Sequence, residues 1–181
     1  MFWWWMSGLL VILNGALLAW RPDLRRRLLA DFSGGRMKKA GLGIASAAAL
    51  YAIFLAGRFL LLHFLPASRE HISSVYLVRP ALPDWCIALL MIFIIGPGEE
   101  VFWRAYLQRA LISRFGTACG LLAGALLYAG VHAGSGNPVL VLAALTAGLF
   151  WGWLYIATDS EFVIISSHVL WDVAVFLVAP F

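Results

Sequence analysis

Residues 85–104 read WCIALLMIFIIGPGEEVFWR. An apolar run from Trp85 to Ile95 meets a Gly96-Pro97-Gly98 interruption, then adjacent carboxylates at Glu99 and Glu100, with Arg104 one turn on. A run of this kind, continued to about residue 111, is long enough to cross hydrocarbon as a helix. Ionisable groups inside such a helix are costly unless they pair or face a polar cavity. The stretch therefore predicts a membrane fold and a buried polar site at once.

The rest of the chain fits that frame. Of its 181 residues 63% are hydrophobic and 12% charged, with 9 Trp and 12 Phe and a mean hydropathy of +0.90. That is the composition of a polytopic membrane protein, not of a water-soluble core. Further apolar spans cover 2–20, 40–65, 117–131, 139–156 and 162–179. Backbone in lipid must satisfy its own hydrogen bonds, so the expected fold is all-α, a bundle of about six transmembrane helices. The first span opens on Trp3-Trp4-Trp5 without a basic leader or a small-residue cleavage site, and reads as retained. With no repeat or long linker, residues 1–181 are expected to form one membrane domain, and 85–181 hold the motif content. Cys86 and Cys119 lack metal-type spacing and are expected to be free thiols.

Charge sets the orientation. Arg21, Arg25, Arg26, Arg27, Arg36, Lys38 and Lys39 all fall between the first two spans, whereas the 66–84 connection carries only Arg69 and Arg79. The positive-inside rule makes the first connection cytoplasmic and the N-terminus external. The chain is short, which suits a multi-pass protein of a bacterial inner (cytoplasmic) membrane. The net charge of +4 then reflects topology, and no nucleic-acid partner is expected.

Polar groups recur in the later spans: His132 in Tyr128-Ala-Gly-Val-His132, and His168 with Asp172, four residues apart on one helical face. Gly116 is a candidate turn, with Glu99 17 residues before it and His132 16 after it. In an antiparallel hairpin the two are level, about 25 Å from the turn at about 1.5 Å per residue. A shared site is expected in the cytoplasmic half or near the midplane. Successive helical residues point about 100° apart, so the two glutamates need different roles. Glu100 and Arg104 suit an i, i+4 ion pair, leaving Glu99 to face the histidines as the candidate base. Gly96-Pro97-Gly98 is expected to break the helix and admit water.

Each polar residue taken singly has a structural reading. His132 could be helix glue, His168 and Asp172 a self-satisfied pair, and Arg58 and His63 groups that snorkel or face a neighbouring helix. Three helices that all place polar groups in hydrocarbon argue instead for one shared site.

EExxxR, then aromatic-xxx-His, then HxxxD, in that order on apolar helices, resembles the CPBP family of intramembrane proteases. That family includes CAAX prenyl endopeptidases and bacteriocin-processing or immunity relatives. The resemblance covers roughly 85–181 and implies peptide-bond hydrolysis within the membrane. It assigns water activation to Glu99 and His132, oxyanion stabilisation to His168 and Asp172, and support to Glu100 and Arg104. Tyr128 stands where the family commonly has Phe, a change expected to matter little. Asp172 stands where the prenyl-endopeptidase branch has Asn. An ionised aspartate would repel an oxyanion, so Asp172 must be protonated, orient His168 or bind a metal.

Glu99, His132, His168 and Asp172 also make a candidate zinc set. With no HExxH and with ligands spread over three helices, the expectation is no cofactor, zinc being the alternative. The expected partners are the lipid bilayer and a membrane-anchored substrate: a prenylated protein, a bacteriocin leader or a C-terminal sorting anchor. The rival functions are a noncatalytic membrane scaffold or immunity protein and a small ion-coupled transporter. The absence of repeat symmetry speaks against the transporter.

Overall fold

The computed structural model describes residues 1–77 and 82–180, so Arg79 lies outside the described residues. Among them there is no strand. Six helices are long and apolar enough to cross a membrane. In chain order the elements are α1 (Phe2–Trp20), α2 (Pro22–Ser33), α3 (Arg36–Phe64), α4 (Ser68–Val75), α5 (Asp84–Phe115), α6 (Thr117–His132), α7 (Pro138–Thr158) and α8 (Glu161–Val178). All but α2 and α4 are spans.

α8 lies at the centre, against α3 on one side and the middle of α5 on the other. Its Ile164 and Trp171 join Leu50 of α3 and Trp151 of α7 in the largest apolar cluster. Large apolar side chains such as Ile12, Phe59, Leu126 and Trp153 face outward, as hydrocarbon requires. Lipid gives helices no hydrophobic reason to associate, so close packing at small residues does that work. Gly96 is the clearest case, because a Cβ there would come within 2.7 Å of Val169 Cγ2 on α8. At the α5–α6 turn, Gly116 holds φ at +82°, which favours glycine.

The expected break at Gly96-Pro97-Gly98 is absent, and α5 runs on through it. Residues Met91–Ile95 are wound as a π-helix, and the Gly96 N–H bonds the Met91 carbonyl five residues back. The wider turn takes up the defect that Pro97 brings, and α-helical Gly96–Glu100 follows directly. A second π-helical stretch covers Val101–Gln108.

At the end bearing the 21–39 connection, called here the basic end, α2 folds back onto the α7–α8 turn. Asp31 accepts from Lys39 Nζ at 2.6 Å, Ser160 Oγ at 2.9 Å and the Phe162 N–H at 2.8 Å. Burial alone would push the Asp31 carboxyl up. These three donors outweigh it and hold the group below the ordinary carboxylate range. Asp159 ends α7 in a left-handed conformation, with its carboxylate 3.4 Å from Arg27 and 3.5 Å from Arg109. At the far end Asn137 caps α7 through the Val139 and Leu140 N–H groups. It also donates to the His71 carbonyl at 2.7 Å and Ser74 Oγ at 3.0 Å, which fixes α4 there.

Candidate active site

Glu99 and Glu100 sit halfway along α5, both buried. Glu100 forms the i, i+4 pair with Arg104, Oε1 to Nη1 at 2.9 Å, where both side chains are shielded from solvent. The same Oε1 also meets His168 Nδ1 at 2.5 Å, so it is Glu100 that touches this histidine directly. Glu99 instead accepts from the Tyr128 hydroxyl through Oε2 at 2.7 Å. The two glutamates thus diverge as the 100° rule demands: Glu99 faces the cavity that both histidines line, and Glu100 makes the direct contact with His168. α8 crosses α5 next to Gly96, and this delivers His168 to Glu100.

His168 is held on every side. Its ring stacks on Trp151 with centroids 3.9 Å apart and planes at 20°. Nε2 lies 3.4 Å from Asp172 Oδ2, the i, i+4 geometry that the spacing requires. Trp151 Nε1 donates to Ser167 Oγ at 3.2 Å, which fixes the indole to the helix bearing the histidine. The Arg104 guanidinium lies 4.7 Å from the Tyr128 ring centroid and 5.5 Å from that of Trp151, and cation–π attraction holds all three together.

His132 lines the same cavity as Glu99. Tyr128, one turn nearer Gly116, makes the direct contact with Glu99, and His132 lies one turn beyond it with Nδ1 on the Tyr128 carbonyl at 2.8 Å.

Glu99, Tyr128, His132, His168 and Asp172 line one cavity of about 910 Å³. Its other walls come from the start of α1 (Trp3, Met6), the last turns of α3 (Phe54, Leu61), α4 (Val75) and the end of α8 (Phe176). All of these lie on the side away from the basic end. The cavity therefore runs from mid-span toward the far end, which fits the near-midplane alternative and not the cytoplasmic-half one.

The zinc set is not assembled. Among the described residues no three His, Cys, Asp or Glu side chains are grouped so as to hold a metal ion. Tyr128 engages both Glu99 Oε2 and His132 Nδ1, while His168 is taken up between Glu100 and Asp172. Cys86 and Cys119 are free and take no part.

Three contributors escape a reading by motif: Tyr128's hydroxyl, Trp151, and Gln108, whose Nε2 donates to the Gly152 carbonyl at 2.9 Å and ties α5 to α7. A signal existed for two of them. A tyrosine hydroxyl in an apolar helix must find an acceptor, and Gln108 falls four residues after Arg104 on the same face.

A family model described as type II CAAX prenyl endopeptidase Rce1-like matches residues 81–174, a segment that contains every polar side chain of the site. No curated protein and no solved structure matches the chain.

Proposed function

The chain belongs to the Rce1-like type II CAAX prenyl endopeptidases, a family of membrane proteases, and on that premise we propose that it cuts a peptide bond of a membrane-anchored protein or peptide inside the cavity described above. The observation that carries this reading is a carboxylate and an imidazole, Glu99 and His168, on one cavity wall within membrane-spanning helices. Glu99 has Oε2 tied down and Oε1 left over, and His168 is fixed at Nδ1 by Glu100 with Asp172 3.4 Å from its Nε2.

Glu99 is the base. Tyr128 holds Oε2, so Oε1 takes a proton from water as the oxygen attacks the scissile carbonyl carbon. Negative charge then develops on the carbonyl oxygen. His168, its Nδ1–H fixed by Glu100, donates from Nε2 to that oxygen, and Asp172 beside Nε2 keeps the ring turned to the cavity. Collapse breaks the C–N bond, and the leaving amine takes the proton that Glu99 collected. His132 presents Nε2 to the same cavity and accepts the second hydrogen bond of the attacking water. The reaction so written uses side chains alone, and insensitivity to chelators is the corresponding expectation.

The positive-inside rule makes the basic end cytoplasmic, so the cavity faces the opposite leaflet. This favours a substrate presented from outside, such as a bacteriocin leader or the sorting anchor of a surface protein, over a cytoplasmic prenylated one. The mostly apolar lining suits an anchor-proximal segment.

The test is cleavage of a membrane-anchored peptide library by purified protein in lipid vesicles, wild type against Glu99→Gln, with and without chelator. Cleavage by wild type only, unaffected by chelator, is expected. A folded wild type that cuts none of the library would overturn the reading in favour of a scaffold or immunity role.

A further inference from the structure

Between Lys39 and the end of α3 at Phe64 the sequence holds a single formal charge, Arg58. It lies on the α3 face that carries Phe54, Gly57 and Leu61, and all four line the cavity of the candidate active site. The remaining charged groups there, Glu99 and Asp172, are at its mid-span end. Arg58 makes no hydrogen bond, ion pair or cation–π contact among the described residues. Arg58 is exposed and lies six residues before the end of α3, whereas Arg104, buried midway along α5, has a carboxylate and two aromatic rings. The space next to Arg58 is open: a Cβ added at Gly57 would meet nothing within 4 Å.

An unpaired guanidinium on the wall of an apolar intramembrane cavity marks a ligand path more often than it marks packing. Its fork of donors matches a carboxylate, and an apolar surround strengthens that pairing. Placement supplies the register. The Phe54 ring packs against Trp171, the residue before Asp172, with centroids 4.7 Å apart. Arg58 follows one turn later, about 6 Å farther toward the open end at 1.5 Å per residue. An extended peptide advances about 3.3–3.6 Å per residue. A chain with its scissile bond at Glu99 and His168 therefore passes Arg58 within a few residues.

We propose that Arg58 is a specificity residue that binds a carboxylate of the peptide substrate, terminal or side-chain, a few residues from the bond that is cut. The proposal rests on the protease reading for its meaning, but it can be measured as binding. Two kinds of probe are needed: anchored peptides ending in a free carboxylate or an amide, and a Glu-for-Gln scan of the flanking residues. Their affinity is measured on Glu99→Gln protein in vesicles of zwitterionic lipid, with or without the further substitution Arg58→Gln, and their cleavage on wild type and Arg58→Gln.

A charge-assisted pair in an apolar site predicts a preference for at least one carboxylate over its amide partner of about 10- to 100-fold. Arg58→Gln should collapse that ratio to about one, and Arg58→Lys should restore part of it. Equal affinity for both members of every pair would overturn the proposal. So would a ratio that survives Arg58→Gln, or an effect of Arg58→Gln confined to vesicles with anionic lipid, which would make the residue a headgroup anchor. Carboxylate-selective binding without any cleavage by wild type would sink the protease reading and leave the Arg58 site standing.

Discussion

Replacing Tyr128 with Phe removes one oxygen and leaves the rest of the ring, which packs edge-on to Trp103 at 5.3 Å and under Arg104 at 4.7 Å. What is lost is the 2.7 Å hydrogen bond to Glu99, made where the tyrosine is 6% and the glutamate 7% exposed. A hydrogen bond to a charged acceptor contributes about 1.5–3 kcal/mol, and solvent is too remote to replace it cheaply. Its role in the proposed chemistry is to fix the carboxylate so that Oε1 alone faces the water. If that energy is expressed in the transition state, kcat falls about 10- to 100-fold, at about 1.4 kcal/mol per tenfold. KM should change less than kcat, because the hydroxyl is engaged with Glu99. The assay is cleavage of an anchored peptide in vesicles, alongside a thermal unfolding curve to show that the variant folds. Wild-type turnover by a folded Tyr128→Phe protein would refute the idea that this hydroxyl aims the base.

Three further outcomes are expected. Glu100→Gln strands Arg104, 2% exposed, without its counter-charge; breaking a buried pair from one side costs about 3–5 kcal/mol, read as a lowered Tm or loss of folded protein. Gly96→Ala drives a methyl group into Val169, next to His168, so activity should fall, and Val169→Ala in the same chain should recover part of it. Asp31 has a folded pKa below its unfolded value of about 3.9. Its contribution to stability is therefore complete above that value and lost as pH falls through the lowered folded value, so urea midpoints of wild type and Asp31→Asn should differ at pH 7 and converge in strong acid.

The six spans and the all-α class were legible because lipid demands long apolar helices, and that demand is written in composition. The Glu100–Arg104 and His168–Asp172 pairings were legible because each lies within one helix at a spacing of four. That Glu99, His132, His168 and Asp172 would share one cavity was legible too, but which side chains touch across the helices was not. No residue pattern announces the π-helical stretch Val101–Gln108, or that Tyr128 rather than His132 would hold Glu99. Likewise Asp31 finds Phe162 across 131 residues of chain. The cavity escaped prediction because α1, α3 and α4 supply its walls with ordinary apolar side chains.

The π turns of α5 bear on how this chain should be compared with its kin. A π turn is an α-helix that has accepted one residue more than its hydrogen-bond ladder can use. Relatives that lack the surplus should show a one-residue gap between 101 and 108, and an alignment that refuses the gap will pair the wrong side chains on one side of it. Deleting a single residue there would shorten the protein by under one per cent, and would let a π turn close to an α turn with the glutamates still facing as they do relative to Gln108.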